Sequence, residues 1–283
     1  MNGLREARLE LWVEARAGRP AVNPVMAALL EALREQGALV QVRVPDVDAG
    51  GGAPTQDRAD LILLKTMTTL GLAQAARRSA GGTPFCNPVA ATTVAQDKAA
   101  VLGRLAAAGV PVPESYLHDP RGGSTAGTEA AGCWVSKPVL GWHGRGVRFH
   151  DGLGPAQAPD LAPLPADTLL DDGTRLVQRR VGGSTPDVKV YVAGEQVFAR
   201  SKTFAPDSYA SDQAAPVVLG RGELEVARAA GRVLGLRVFG VDLRSDQDAL
   251  SVIDVNPFPG FRGCPESVPA LVGEIRRLLE VSR

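Results

Sequence analysis

Phe239-Gly240-Val241-Asp242-Leu243 and Val252-Ile253-Asp254-Val255-Asn256-Pro257-Phe258-Pro259-Gly260-Phe261 are the stretches whose reading decides the fold. Each apolar run carries a carboxylate near its end, and Arg244 to Leu250 between them reads as a turn joining two antiparallel strands. Counting outward from Asp248 sets Asp242 roughly opposite Asp254. Side chains alternate with period two along a strand, so Asp254 and Asn256 share one face. Two carboxylates and an amide oxygen then converge at the end of a hairpin. Hard oxygen donors of this kind suit magnesium carrying nucleotide phosphates. A surface hairpin with acidic ends is the plainer alternative, and the lysines further upstream weigh against it.

The chain has 283 residues, 45% of them apolar, which is ample for a buried core and for more than one domain. Formal net charge is +0, so neither a nucleic-acid footprint nor a membrane surface is expected. No apolar run approaches the ~20 residues that cross a bilayer, and the first residues lack the apolar stretch of a secretory signal. Cys86, Cys133 and Cys264 are isolated, and His118, His143 and His150 have no metal-ligand spacing. A reducing cytoplasm is the expected compartment.

The first ninety or so residues alternate strand and helix patterns, predicting a small α/β layer over residues 1–89 with a parallel sheet. Leu9 to Val13, Ala38 to Val44 and Asp60 to Lys65 read as strands. Asn23-Pro24 reads as a helix cap, and Val25, Met26, Leu29, Leu30 and Leu33 follow at helical spacing. Gly50 to Gly52 reads as a loop and Met67 to Ser79 as a helix. After a boundary at Asn87-Pro88, one helix is expected, capped near Thr92 or Thr93, containing Asp97-Lys98 and ending at Gly109. Val110 to Pro113 must be extended. Strands follow at Cys133 to Lys137, Val147 to His150, Leu176 to Val181, Val188 to Val192 and Val197 to Arg200. Gly152 to Leu169 reads as an irregular connector. Glu223 to Leu234 and Val268 to Leu279 read as helices.

Lys98 and Lys137 could each place a point charge on a phosphate oxygen, although either alone is more often a solvated surface residue. Gly141 to Gly146 supplies backbone N–H groups free of a hindering Cβ; it also has the composition of a tight hairpin turn. The run matches neither the P-loop nor the dinucleotide fingerprint. Lys65 ends a buried strand at the sheet edge where open α/β layers bind ligands, and an exposed residue is the equal alternative.

In order along the chain, "NPVAATTVAQDK", "AAGVPVPESY", "WVSKP", "GWHGRG", "LVQRRVGG", "DVKVYVAGEQVFAR" and "FGVDL…VIDVNPFPGF" together resemble the ATP-grasp superfamily. The resemblance implies a mixed α/β and α+β protein, an N-terminal α/β (pre-ATP-grasp) domain followed by a two-subdomain ATP-grasp fold. The ATP-grasp part would span residues 90–283, with a small lid subdomain at about 111–177 and a C-terminal subdomain at about 178–283. It implies that Lys98 and Lys137 contact the α- and β-phosphates of ATP. Gly141, His143, Gly144, Arg145 and Gly146 would form a flap over the triphosphate. Gln178, Arg179, Arg180 and Val181 would be the hinge whose backbone reads adenine. Asp242, Asp254 and Asn256 would hold Mg2+ or Mn2+, and Lys189 and Arg200 would face the transferred phosphoryl group. Two departures stand out: Arg179-Arg180 where an acidic residue is common, and Asp254 where ligases of this type commonly carry glutamate.

Two branches of the superfamily compete for the activity. RimK-type carboxylate–amine ligases form an acyl phosphate that an amine then attacks. Inositol trisphosphate kinases transfer the phosphate to a hydroxyl and stop, and Asp-x-Asn followed by Phe-Pro-Gly leans toward them. Lys65, Lys189, Arg200, Lys202 and Arg262 form a basic set better matched to an amino-acid carboxylate or short peptide than to a polyphosphate. Zero net charge gives no long-range steering toward a polyanion. An amide-forming ligase on a small amino acid or peptide is the expected activity, and a scaffold without activity is the third alternative. Trp142, Ser208, Tyr209 and Ser211 are further acceptor-site candidates. Homo-oligomers are common among proteins of this kind, and no apolar stripe specifies an interface.

Overall fold

The computed structural model describes residues 4–48, 59–119, 123–124, 132–141, 146–150, 173–182, 187–202, 215–246 and 249–282. The expected Gly50 loop, flap residues Trp142, His143, Gly144 and Arg145, the connector from Gly152 and the loop carrying Ser208, Tyr209 and Ser211 lie outside the described residues.

The first part of the chain is built on β1 (Arg8–Trp12), the short hairpin β2 (Ala15–Arg16) and β3 (Arg19–Pro20), β4 (Leu39–Arg43), β5 (Leu61–Leu64) and β6 (Phe85–Cys86). Its main sheet has the order β4-β1-β5-β6 with every pair parallel, as expected from the alternation of strand and helix. All of β5 is buried, the signature of a parallel strand covered on both faces. Helix α1 (Pro24–Glu35) begins where the sequence predicts, with the Asn23 Oδ1 accepting from the Met26 N–H at 2.9 Å. Its five predicted apolar residues are all buried. α2 (Pro45–Asp48) and α3 (Thr69–Ala80) complete the layer.

The single helix expected around Asp97-Lys98 is two helices, α4 (Val89–Gln96) and α5 (Lys98–Ala107). Asp97 is extended rather than helical; its carboxylate caps α5 through the Ala100 N–H at 2.9 Å, and it bridges to Leu140. Lys98 therefore begins a helix instead of lying within one. Neither Thr92 nor Thr93 caps α4; Thr93 Oγ1 donates back to the Val89 carbonyl inside it at 3.0 Å.

A second sheet joins β7 (Ser115–Asp119), β8 (Gly123–Ser124), β9 (Trp134–Pro138), β10 (Arg148–His150) and β11 (Arg175–Arg179) in the order β10-β9-β11-β7-β8. The glycine-rich run links the antiparallel pair β9 and β10. A third sheet contains β12 (Asp187–Ala193), β13 (Gln196–Lys202), β14 (Ala215–Pro216), β15 (Val238–Asp246) and β16 (Ala249–Pro257), ordered β14-β13-β12-β15-β16. The segment from Arg244 to Leu250 is not all turn. The strands continue to Asp246 and resume at Ala249, so Arg244 is a strand residue paired with Ser251.

Alternation along β12 divides the core. Val190 and Val192 pack under α4, α5, α6 (Arg221–Leu234) and β16, whereas Tyr191 and Ala193 pack with the N-terminal layer and α7 (Val268–Val281). Two asparagines tie the N-terminal layer to the third sheet. Asn87 is fully buried; its Nδ2 donates to the Val238 carbonyl at 2.7 Å, and its Oδ1 accepts from the Arg237 and Val238 N–H groups at 2.7 and 2.9 Å. Asn23 Nδ2 donates to the Gly260 carbonyl at 2.8 Å.

Candidate active site

Strands β15 and β16 pair with Asp242 opposite Asp254, the register expected from the sequence, with an irregularity just after Asp242. Asn256 lies two residues on, its Nδ2 donating to Asp254 Oδ2 at 3.4 Å. On the adjoining strand Lys189 is the cross-strand partner of Asp242, and Arg200 is the partner of Lys189. Five predicted site residues thus share one face of a single sheet. Gly240 opens that face: a Cβ there would approach Pro259 Cγ to 3.3 Å and the Lys189 stem to 3.6 Å.

Lys189 Nζ pairs with Asp242 Oδ1 at 2.6 Å. Burial alone would lower the Lys189 ammonium pKa, but Asp242 outweighs it and holds the group charged well above its ordinary range. Burial pushes the Asp242 carboxyl up, Lys189 opposes the shift, and Asp254 reinforces it. Two carboxylates thus face each other in a partly buried place, with Lys189 paired to Asp242. A divalent cation would relieve the remaining repulsion, and this oxygen donor set fits Mg2+ or Mn2+. Among the described residues no cluster of three or more His, Cys, Asp and Glu side chains competes for that role.

The lysines arrive from the second sheet and from α5. Lys137 is buried, and its Nζ donates to the Ile253 carbonyl at 2.7 Å, next to Asp254. Burial lowers its pKa, opposed by Asp254 and then reinforced by Lys98 close by. Lys98 donates to the Gly141 carbonyl at the start of the glycine-rich run. Arg175 holds the Gly146 carbonyl at its far end. Lys137 therefore meets the acidic hairpin across the gap between two sheets, and Lys98 at the start of α5 adds its charge beside Lys137.

Gln178 lies opposite Val135 in the β9–β11 pair, so alternation puts it on the face that carries Lys137. Its Nε2 is buried with no hydrogen-bond partner. An orphaned buried amide nitrogen is costly in a finished core and expected where a ligand belongs. The segment expected to be the hinge is otherwise heavily used. The Arg179 N–H donates to the Glu114 carbonyl and the Arg180 N–H to the Cys133 carbonyl, both at 2.8 Å. Arg244 donates to the Val181 and Gly182 carbonyls at 3.0 and 3.1 Å and pairs with Asp187.

The basic departure at the hinge has a local explanation. Arg179 pairs with Glu114 at 2.8 Å and lies over the Trp134 ring at 4.6 Å, while Arg180 lies over Phe149 at 5.2 Å. Glu114, Asp187, Arg175 and Arg244 have no local sequence signal, because their partners are remote in the chain and Arg244 lies in a strand where a turn is expected.

Arg200 lies on the expected face, but its guanidinium is occupied. It donates to the Gly263 carbonyl at 2.8 Å and the Ala199 carbonyl at 2.9 Å, and it pairs with Glu266. It braces the loop after β16. Lys65 stands at the end of β5; burial lowers its pKa, with Glu14 opposing and Arg16 and Arg262 reinforcing. Arg262 is exposed. The Lys202 side chain, like the whole of His143, Gly144 and Arg145, lies outside what the structure describes.

Against known proteins, residues 223–276 match the model for the inositol 1,3,4-trisphosphate 5/6-kinase ATP-grasp domain. A probable alpha-L-glutamate ligase of Haemophilus influenzae (strain PittEE) is 26% identical over 209 residues, covering 69% of this chain and 67% of the relative. Another from Legionella pneumophila (strain Corby) is 27% identical over 250 residues, covering 83% of this chain and 80% of the relative. Among solved structures, the RimK domain protein ATP-grasp from Sphaerobacter thermophilus superposes with a TM-score of 0.68 at 20% identity, covering 97% of this chain and 100% of that one. Among the described residues, no helix is long and apolar enough to cross a membrane.

Proposed function

The chain has the ATP-grasp fold and resembles the RimK-type ligases, and on that premise we propose that it is an ATP-dependent carboxylate–amine ligase acting on a small amino acid or peptide. The observation that carries this reading is the meeting of Lys137 with the Ile253 carbonyl beside Asp254, on the hairpin that pairs Asp242 with Asp254. A cationic patch from one sheet and an oxygen donor set from another face each other, the arrangement a metal-bound triphosphate needs.

In this reading Lys98 and Lys137 receive phosphate oxygens, and Lys98 gives up its bond to the Gly141 carbonyl when they arrive. The orphaned Gln178 amide and the Val181 N–H contribute to recognition of the base. Asp242, Asp254 and Asn256 hold Mg2+ or Mn2+, which when bound neutralises charge on the β- and γ-phosphates. Lys189 opposes the upward push that burial gives the Asp242 carboxyl. The expected catalytic pair becomes a division of labour, with Lys189 at the phosphoryl group and Arg200 bracing the loop that carries Arg262.

A substrate carboxylate oxygen attacks the γ-phosphorus as its bond to the bridging oxygen breaks, giving an acyl phosphate and ADP. An amine then attacks the acyl carbon, phosphate leaves, and the nitrogen loses a proton. Positioning and fixed charge carry most of such a reaction. At the acceptor side, the charges of Glu14, Arg16 and Arg262 all act on Lys65. That grouping suits an amino acid or peptide, with carboxylate on the cations and ammonium on Glu14.

The match to the kinase domain model favours a second reading, transfer of the γ-phosphate to a hydroxyl. ADP release measured over a panel of acids, with and without amines and with hydroxylamine added, separates the two. A ligase forms a hydroxamate and needs an amine for its stable product. Turnover on a polyol or inositol phosphate, with no hydroxamate from any acid, would replace the ligase by the kinase.

A further inference from the structure

We propose that Asn23, at the start of α1, is a positioning residue for the acceptor: its Nδ2–H to the Gly260 carbonyl sets the loop that carries Arg262. The inference rests on the reading of Arg262 as an acceptor-binding residue.

The Asn23 carboxamide has two separate tasks. Its Oδ1 caps α1 by accepting from the Met26 N–H at 2.9 Å, and its Nδ2 reaches Gly260 at 2.8 Å, far away in sequence. Capping needs only an acceptor, which serine, threonine or aspartate supplies equally well. The donor half is surplus to the helix and serves the loop alone.

That loop needs an external support. It leaves β16 after Pro257, and Phe258 and Phe261 adopt left-handed conformations with φ of 41° and 49°. Bulky residues persist there only where the surroundings over-determine them. Both rings are buried, and Phe261 stacks on Tyr191 at 5.1 Å between centroids. The loop ends are held by the Phe258 N–H to the Val238 carbonyl at 2.9 Å and by Arg200 to the Gly263 carbonyl at 2.8 Å. Asn23 holds the middle. The approach is so close that a Cβ at residue 260 would meet Asn23 Nδ2, so any side chain there would displace the Asn23 amide.

Arg262 lies two residues beyond the tie, and its charge acts on Lys65 of the N-terminal layer. The hydrogen bond thus couples the layer carrying Lys65 to the loop carrying Arg262, and it sets the distance between two cations proposed to share one substrate. Asp254 and Asn256 lie on β16 before the loop, secured by sheet pairing. Loss of the tie should therefore be felt by the acceptor and not by the nucleotide.

Asn23→Ser keeps a cap acceptor and removes the donor, and Asn23→Asp does so at nearly constant shape. Steady-state kinetics in the full-length protein, varying ATP, acid and amine separately, should show one acceptor KM raised about tenfold or more, since small displacements of a positioning group cost that much. The KM for ATP and kcat should stay within about twofold of wild type. Hydrogen exchange should quicken at the Phe258 and Cys264 amides while Met26 stays protected. Equal rises in the ATP and acceptor KM, unchanged kinetics, or unchanged exchange over residues 257–264 would each overturn the proposal. If the wild-type protein joins no acid to any amine, the ligase reading has failed separately, and the exchange experiment alone decides whether Asn23 holds the loop.

Discussion

Replacing Lys137 by methionine separates catalysis from stability more sharply than any other change in this site. The ammonium is buried and donates to the Ile253 carbonyl at 2.7 Å. Losing that charge-assisted hydrogen bond costs about 1.5–3 kcal/mol. Against this, a buried ammonium carries a desolvation penalty of roughly several kcal/mol, which methionine of similar length removes. Lys98 nearby adds repulsion that also disappears, whereas attraction to Asp254 is lost. The opposing contributions leave a net change within about 2 kcal/mol, a melting shift of roughly 5 °C or less for a chain of this size. Turnover has no such compensation. Removing one fixed cation from a developing phosphoryl charge costs on the order of 10²–10³ in kcat, about 2.7–4 kcal/mol. Arginine should not restore it, because a planar fork does not fit where a compact ammonium meets one carbonyl. The assay is coupled ADP release with an acid and an amine, beside a thermal melt of the same sample. A folded Lys137→Met protein with kcat within about tenfold of wild type would refute the assignment of Lys137 to the phosphates.

Asp254→Ala should abolish ADP release while leaving the melting midpoint of the metal-free protein near wild type. The calorimetric signal for Mg2+ or Mn2+ binding with nucleotide should vanish, and retention of that signal would remove Asp254 from the donor set. Asn87→Ala strands the Arg237 and Val238 N–H groups and leaves the Val238 carbonyl with the Phe258 N–H as its remaining donor. Denaturant titration should show a loss of about 2–4 kcal/mol, the penalty for unmade buried hydrogen bonds. Glu274→Gln tests electrostatics away from the site. Burial pushes the Glu274 carboxyl up, but hydrogen bonds from Arg277 and Arg237 outweigh it and hold the pKa below the ordinary carboxylate range. Its stabilising contribution is complete above the unfolded value of about 4.3 and fades as pH falls through the lower folded value. Glu274→Gln should therefore be less stable than wild type at neutral pH, with the gap closing below about pH 4 in denaturant titrations.

The parts legible in the sequence were those governed by local periodicity. The pairing of Asp242 with Asp254 followed from counting two strands about a turn, and the buried face of α1 from helical spacing. The break at Asp97 was not legible, because one of its contacts is remote: Asp97 bridges to Leu140 while its carboxylate caps α5. The hinge shows the same limit. Arg179 looked like a departure from an acidic pattern, but a carboxylate is supplied across the sheet by Glu114. Arg200 was placed on the right face, yet its commitment to Gly263 and Glu266 depends on how the loop after β16 turns back.

By itself, the sequence determined the kinds of chemical group available and the face of each element on which they lie, since both follow from residue identity and the periods of strand and helix. Tertiary structure alone decided which of those faces meet. Lys137 and Asp254 are distant in the chain, and their approach depends on packing between two sheets that no local pattern encodes. The same holds for Asn23, whose cap is written in its neighbours and whose second hydrogen bond exists only because Gly260 folds against it.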